Sequence, residues 1–193
     1  MGKTTQLFEK GPIFIVVSGA PGSGKSTLAK LLSENLRLLH IERDVLLEQI
    51  YQQEKNDPNY NVERVGIPRA YAVVVTLLQQ KISVIMDATL YKNKSEVDIK
   101  SLATGAKLLN IHCVAGDSEF VKSRFRNREV RLNAGKVPDW LDDHMETLDK
   151  IYPDVVNLLD LECPQITVRT DDEYDPKIDQ IIDWVTSNIK YSV

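Results

Sequence analysis

The sequence predicts a three-layer α/β domain in which helices cover both faces of a parallel β-sheet. Short apolar runs without charge alternate with longer stretches in which apolar residues recur every three or four positions, a pattern typical of strand–helix–strand units. The first run, 13–17, leads directly into a glycine-rich turn and then a helical pattern. With 193 residues, of which 42% are hydrophobic, the chain is large enough to bury one core, so we expect a single domain over residues 1–193.

The turn after the first strand carries the pattern G-x-x-x-x-G-K-[ST]. Its residues are Gly19, Ala20, Pro21, Gly22, Ser23, Gly24, Lys25, Ser26 and Thr27. The glycines let backbone N–H groups converge on a phosphate, and a helix that begins near Ser26 adds its unpaired donors. We therefore predict that this phosphate-binding loop holds a nucleoside triphosphate, with Lys25 on the outer phosphates and Ser26 as a ligand of Mg²⁺.

The alternative for this turn is a glycine-rich connection without a ligand. The strand, the complete motif and the helix follow one another in register, which favours phosphate binding over that alternative. A second Gly-Lys-Thr, at 2–4, has no earlier glycine and no preceding strand. We expect only a mobile terminus there.

Composition and charge disfavour several classes of protein. The net charge of −4 disfavours broad, sequence-independent binding to nucleic acid, which depends on phosphate neutralisation by Lys and Arg. No stretch has the pattern of a signal peptide or the length of a membrane span, so we expect a cytoplasmic protein with no membrane partner. Neither the two cysteines, Cys113 and Cys163, nor the three histidines have metal-ligand spacing, which indicates buried thiols and no zinc site.

The stretch after the loop predicts a helix and then a short strand that ends near a carboxylate. The apolar residues at helical spacing are Leu28, Leu31, Leu32, Leu36 and Leu39. We expect the following strand, 39–41, to lie beside the first one, which places Asp44 in the crevice where open α/β sheets bind ligands. Asp44 is therefore a candidate catalytic residue; the alternative is an N-cap for a helix over 45–54.

A second carboxylate follows the next buried strand. A loop over 55–61 and a helix over 68–80 come first, and the residues around the start of that helix are expected at the solvated surface rather than on an acceptor: Tyr60, Arg64, Arg69 and Tyr71. The uncharged strand 82–86 then ends at Asp87. Because a magnesium ion must be held near the phosphates, this position predicts a magnesium role for Asp87 in preference to a simple helix cap.

Arginines set the segment 122–136 apart from the rest of this acidic chain. On a helix, Arg124, Arg128 and Arg131 share one face, because they are four and three residues apart. Cations on one face repel each other, so the pattern predicts a bound anion, and the triphosphate supplies one. The alternative is a solvated helix that nearby acidic residues neutralise in part.

The remaining patterns complete the alternation of helices and strands. Apolar periodicity predicts helices over 93–104, 141–150 and 178–189, and strands over 108–114 and 164–168.

With these parts in place, the chain resembles the small P-loop kinases, and most closely the kinase domain of polynucleotide kinase. It is also similar to chloramphenicol phosphotransferase-like and gluconate kinase-like enzymes. The segments that carry the resemblance are 19–27, 41–44, 84–89, the pair Arg124 and Arg128, and 135–138. The resemblance implies a P-loop NTPase fold of the kinase type, with Asp44 as general base on an acceptor hydroxyl. It also implies that Arg124 and Arg128 belong to a helical lid, about 117–137, that closes over the phosphates.

One departure from the polynucleotide kinases bears on the acceptor. Those enzymes carry an arginine three residues after the base, where it contacts an acceptor phosphate, and this chain has Leu47 there. The acceptor is therefore open between a 5′-hydroxyl nucleic-acid end and a small alcohol. A different class of function, an ATP-binding or ATP-hydrolysing regulatory switch without an acceptor, is the alternative to a kinase; a base at Asp44 and an arginine lid disfavour it.

Overall fold

The structure, a computed structural model, describes residues 11–190. Five strands form one sheet in the order β2-β3-β1-β4-β5, and every pair is parallel. The strands are β1 Ile13–Gly19, β2 Leu39–Glu42, β3 Val84–Ala88, β4 Lys107–Val114 and β5 Gln165–Arg169. Because all strands run the same way, their carboxyl ends meet at one edge of the sheet, and the glycine-rich turn lies at the centre of that edge. The Gly-Lys-Thr at 2–4 lies outside the described residues.

Seven α-helices connect or follow the strands in the described part of the chain. They are α1 Lys25–Leu36, α2 Arg43–Glu54, α3 Ile67–Gln79, α4 Glu96–Leu102, α5 Ser118–Leu132, α6 Leu141–Val155 and α7 Ile178–Lys190. A turn of π-helix, Val62–Gly66, precedes α3. None of the helices in this region is long and apolar enough to cross a lipid bilayer.

The sheet is covered on both faces, which confirms the predicted three-layer α/β fold. All seven residues of β1 are buried, and successive side chains point to opposite faces. Ile13, Ile15 and Val17 pack with α1 and α7, whereas Phe14 and Val16 pack with α3 and α4. An uncharged apolar run is what a parallel strand needs when both of its faces are covered.

The structure corrects several boundaries and one neighbour relation. β2 pairs with β3, and β3 separates it from β1, so the expectation that the strand before Asp44 lies beside the first strand is wrong. Leu39 belongs to β2, where it is 51% exposed, and not to the apolar face of α1. Helix α6 continues through Pro153 to Val155, beyond the predicted end at 150. The predicted helix over 93–104 is shortened at both ends to α4.

The two thiols differ in exposure. Cys113 on β4 is buried, as predicted, whereas Cys163 is only partly buried. Burial raises the pKa of the Cys113 thiol to about 12 and that of Cys163 to about 11. Both thiols are therefore protonated at neutral pH, and neither has the character of a nucleophile.

Candidate active site

The glycine-rich loop takes the conformation that its sequence predicts. Gly24 lies at the N-cap of α1 with φ 82°, in the left-handed region that only glycine adopts without strain. Gly22 has φ 85°, and a Cβ atom there would lie 2.1 Å from the carbonyl oxygen of Val121 on α5. The loop therefore lies directly against the arginine-bearing helix, and the backbone approach at Gly22 leaves no room for a side chain.

Lys25 joins the loop to the candidate base. It is the first residue of α1, it is only 6% exposed, and its Nζ lies 3.9 Å from Oδ2 of Asp44. The buried ammonium is thus shared between the place where phosphates would bind and the carboxylate beside it. The two sequence-predicted residues lie together although β3 separates their strands.

Four hydrogen bonds fix the Asp44 carboxylate. Arg43 donates to Oδ1 from Nη2 at 2.8 Å and from Nε at 3.1 Å, and Thr89 donates to Oδ2 from its hydroxyl at 3.1 Å and its backbone N–H at 3.3 Å. The alternative role as a helix N-cap is wrong, because α2 begins at Arg43 and the N-cap is Glu42. Asp44 keeps 46% of its side chain exposed, so an incoming acceptor can reach it.

The surroundings of Asp44 favour its ionised form. Desolvation by itself raises the pKa of this carboxyl, but the charges of Arg43 and Lys25, with the hydrogen bonds, outweigh it and hold the pKa below the ordinary value. The partner shows the complementary change: desolvation lowers the pKa of Arg43, and the adjacent Asp44 charge more than compensates, so the pKa is raised. The pair therefore remains charged at neutral pH.

Arg43 lies in the candidate site, although the sequence analysis gave it no role of its own. It is 6% exposed, and besides Asp44 it contacts the Thr89 carbonyl oxygen at 2.5 Å and the Tyr71 hydroxyl at 3.4 Å. Tyr71 was expected at the solvated surface; it is 8% exposed, because its ring packs in the core and its hydroxyl accepts from Arg43. The signal in the sequence was the Arg-Asp dipeptide itself, directly after a strand.

Asp87, the predicted magnesium ligand, lies beside the glycine-rich loop. It is part of β3, is 3% exposed, and accepts a hydrogen bond of 2.6 Å at Oδ2 from the Ser26 hydroxyl. At Oδ1 it contacts Nε2 of His40, also at 2.6 Å. His40 is a second residue of the candidate site that the sequence analysis did not single out, because the three histidines lack the spacing of metal ligands.

The donor set at Ser26 and Asp87 fits Mg²⁺. Both supply oxygen, the ligand type that this hard cation prefers. No group of three or more His, Cys, Asp or Glu side chains among residues 11–190 could hold a metal by itself. In a nucleotide-bound site, phosphates and water would supply the other ligands of the magnesium ion.

The predicted arginines occupy different situations. A cleft of about 480 Å³ lies between the loop and α5, and Arg124, Arg128 and Arg131 all line it. Arg124 donates from Nη1 to the Thr170 carbonyl oxygen at 2.7 Å, and the Thr170 hydroxyl donates to the carbonyl oxygen of Ser23 in the loop. Arg124 is therefore tied to the loop through Thr170, a residue that the sequence did not single out.

Arg128 is held differently. Its Nε donates to Oε1 of Glu129 at 2.8 Å, and its guanidinium lies 4.9 Å from the centre of the Phe125 ring. The side chain is 43% exposed. Arg128 thus lines the cleft while the adjacent carboxylate neutralises it.

The chain is similar in sequence to several known proteins. The sequence profile of a family described as AAA domain matches residues 14–145, which is more than half of the chain and includes every site residue discussed except Thr170. Adenylate kinase from Chlamydia trachomatis serovar D is 44% identical over 46 residues, which make up 24% of this chain and 19% of that protein. The match thus spans about a fifth of that relative's length.

Solved structures resemble the chain over a larger part of its length. A candidate kinase from Chloroflexus aurantiacus has a TM-score of 0.69 and 25% identity, over 92% of this chain and 98% of that chain. A gluconokinase from Sinorhizobium meliloti has a TM-score of 0.56 and 18% identity, over 94% and 93%. A chain of the Pnkp1/Rnl/Hen1 RNA repair complex has a TM-score of 0.53 and 22% identity, over 75% and 46%; these last two likenesses show the fold alone.

Proposed function

The chain belongs to the AAA-domain family of small P-loop kinases, and from this premise we propose that it transfers the γ-phosphoryl group of ATP to a hydroxyl group. The observation that carries the proposal is the position of Asp44. Its ionised carboxylate, partly exposed, lies 3.9 Å from the lysine of the phosphate-binding loop. A general base must lie within reach of both the acceptor and the phosphate chain, and this carboxylate meets that requirement.

Each side chain has a separate task in the proposed reaction. The loop amides and Lys25 orient the phosphates and offset their charge. Ser26 and Asp87 would hold Mg²⁺, which would supply further neutralisation of the phosphate charge. Asp44 accepts the proton of the acceptor hydroxyl as its oxygen attacks phosphorus. Arg124 and Arg128 then face the charge that spreads over the γ-phosphoryl oxygens in the transition state. Residues 1–193 act as one catalytic domain, with 117–137 as its lid.

We favour a small hydroxylated molecule as the acceptor. The position that would carry a phosphate-binding arginine is Leu47, whose Cδ2 lies near Gly66 of the π-helical turn, at 3.4 Å from the place of an added Cβ. This side chain therefore packs α2 against the segment before α3 and offers nothing to a phosphate.

The similar proteins are named for different kinds of acceptor. Gluconokinase is named for a small acceptor, adenylate kinase for a nucleotide, and the RNA repair complex for its action on RNA. The attacking phosphate of a nucleotide acceptor is largely ionised at neutral pH, so its phosphorylation does not require a general base such as Asp44. The base thus supports an alcohol over a nucleotide phosphate.

Transfer of labelled γ-phosphate to a panel of acceptors tests the proposal. The panel holds sugars and sugar acids, nucleosides, aminoglycosides, phenicols, AMP and CMP, and RNA and DNA with 5′-hydroxyl ends. We expect a labelled small alcohol. Labelled nucleic acid would replace the favoured acceptor, labelled AMP or CMP would remove the role of the base, and ATP hydrolysis without any labelled acceptor would favour a regulatory switch.

The variant Asp44→Asn tests the base directly. We expect kcat for the acceptor to fall about 10²- to 10⁴-fold, the usual contribution of a general base, while ATP affinity stays within about twofold. Glu48→Gln, an exposed carboxylate one turn further along α2, is the matched control and should retain activity. Unchanged transfer by Asp44→Asn would overturn the assignment.

A further inference from the structure

The two oxygens of Asp87 are both engaged, and by different partners. Oδ2 accepts from Ser26, which belongs to the loop, and Oδ1 contacts Nε2 of His40 at 2.6 Å. A carboxylate can only accept, so Nε2 of the histidine carries the hydrogen in this contact. The side chains of His40 and Asp87 are 13% and 4% exposed, so water does not compete freely for either oxygen.

The pairing of β2 with β3 places the histidine where it can do this. His40 pairs with Ile85, and Glu42 pairs with Asp87. Residues two apart on a strand share a face of the sheet, so His40 lies on the same face as Asp87 and diagonally across from it. The contact therefore follows from the register of two parallel strands, which fixes it more firmly than a loop would.

Resting on the proposed function, we propose that His40 is a positioning residue that orients the Asp87 carboxylate toward Ser26 and hence toward the Mg²⁺ that accompanies ATP. The terminal torsion of an aspartate is broad and has two equivalent settings, so one hydrogen bond does not fix the plane of the carboxylate. Two hydrogen bonds to opposite oxygens do. With Oδ1 occupied by His40, Oδ2 is the oxygen that faces the loop.

The contact between His40 and Asp87 costs free energy, because it buries two polar groups, and a merely structural role for residue 40 does not explain that cost. An apolar side chain at residue 40 would pack between sheet and helix without burying polar atoms, whereas the histidine buries an imidazole against a carboxylate. Removing it leaves a buried carboxylate oxygen without a partner and frees the group to turn. Groups that orient metal ligands change metal affinity about 10- to 100-fold when they are lost.

The test measures ATP binding by calorimetry, with saturating Mg²⁺ and again with a chelator. For His40→Leu we expect the affinity for ATP with Mg²⁺ to fall about tenfold, while the affinity without metal stays within about twofold. His40→Gln restores much of the loss, because its terminal amide N–H can donate to Oδ1 from a similar distance. Leu39→Gln, which changes the exposed neighbour of His40 on the opposite face of β2, is the matched control and should leave both affinities unchanged.

A double-mutant cycle with Asp87→Asn separates an effect through Asp87 from general damage. We expect His40→Leu to cost nothing further in the Asp87→Asn background, because the two residues act as a unit. Additive losses, or equal losses with and without metal, would overturn the inference. Thermal unfolding without ligand shows which variants are folded, and His40→Asn, which is too short to reach Asp87, replaces His40→Leu if the latter does not fold.

Failure of this inference can be told apart from failure of the proposed function. Wild-type protein that binds ATP no better with Mg²⁺ than without it would overturn the proposed cofactor, and the inference with it. Wild-type protein that shows the magnesium effect while His40→Leu shows the same effect would overturn the role of His40 alone.

Discussion

The donor and acceptor sides of the proposed site are built in different ways. On the donor side, Lys25 and Asp87 are 6% and 3% exposed, and the loop lies against the backbone of α5. On the acceptor side, Asp44 is 46% exposed and stands beyond β2, an edge strand of four residues. Close packing of the loop backbone against α5 positions the donor side, whereas hydrogen bonds from Arg43 and from the hydroxyl and backbone N–H of Thr89 hold the carboxylate on the acceptor side. This division allows one nucleotide site to serve many acceptors.

The largest expected effect is on the donor side. Lys25→Ala removes a buried charge aimed at the phosphates, so we expect kcat/KM to fall about 10³-fold with every acceptor, and ATP affinity to fall as well. Isothermal calorimetry and steady-state rates measure the two effects. Lys30→Ala, an exposed lysine on the same helix, serves as the control. If kcat/KM of Lys25→Ala fell with only one acceptor, the donor and acceptor sides would not act independently.

A smaller effect is expected on the acceptor side. Arg43→Gln removes the guanidinium that holds Asp44, and a displaced base costs about 10- to 100-fold in kcat. ATP affinity should change little, because Arg43 has no contact with the loop. Comparison of kcat with the ATP dissociation constant, for the same variant, checks both statements. A parallel loss of ATP affinity would show that the two sides are coupled through Asp44 and Lys25.

The same variant shifts the pH dependence. The pKa of Asp44 is lowered in the folded protein, because the Arg43 and Lys25 charges outweigh desolvation, so the base stays ionised below the ordinary carboxyl range. Without the guanidinium the pKa rises, and activity is lost at a higher pH as the solution becomes more acidic. The acidic limb of the kcat/KM profile should therefore move upward for Arg43→Gln. An unmoved limb would contradict Asp44 as the titrating base.

The difference between the two sides also explains what the sequence could predict. The loop, β1 and α1 were predicted because their residues are contiguous and each has a local reason: an apolar run, glycines, and a lysine followed by a hydroxyl. Asp44 and Asp87 were predicted because parallel strands end at one edge. Even so, the predicted neighbour of β2 was wrong, because the sequence of a single strand does not specify which other strand it pairs with.

Some residues of the candidate site were not predicted, because their contacts depend on how strands pair or on the conformation of a side chain. His40 reaches Asp87 only because β2 and β3 pair as they do. Thr170, far along the chain, ties the loop to Arg124 through contacts that no local pattern encodes. Tyr71 was misplaced because a polar tip on an aromatic ring suits both surface and core, and only the partner Arg43 decides between them.

Packing of the loop against α5 gives an effect of intermediate size. In Gly22→Ala the new Cβ would lie 2.1 Å from the Val121 carbonyl oxygen, so backbone must shift, and we expect ATP affinity to fall about tenfold. Gly105→Ala is the matched control: its φ of 79° is equally unfavourable for alanine, but a Cβ there meets nothing within 4 Å. If both variants lower the melting temperature equally but only Gly22→Ala binds ATP more weakly, the loss of affinity comes from displacement of the loop and not from backbone strain at alanine. Unchanged ATP binding by Gly22→Ala would contradict the proposed closeness of loop and lid.

The smallest expected effect concerns Arg128, a donor-side arginine that is paired with the neighbouring carboxylate. Glu129 neutralises Arg128, so a phosphate must compete with that carboxylate for the guanidinium. Glu129→Gln removes the competitor, and because ion pairs of this kind are worth about 0.2–1 kcal/mol, ATP should bind about 1.4- to fivefold more tightly. Asp142→Asn frees Arg126, on the same helix but outside the cleft, and should leave ATP binding unchanged. Tighter binding by Glu129→Gln alone would mean that the lid arginine, unlike the loop, reaches its working position only when the nucleotide displaces a partner. Weaker binding would mean instead that Glu129 holds Arg128 in that position already.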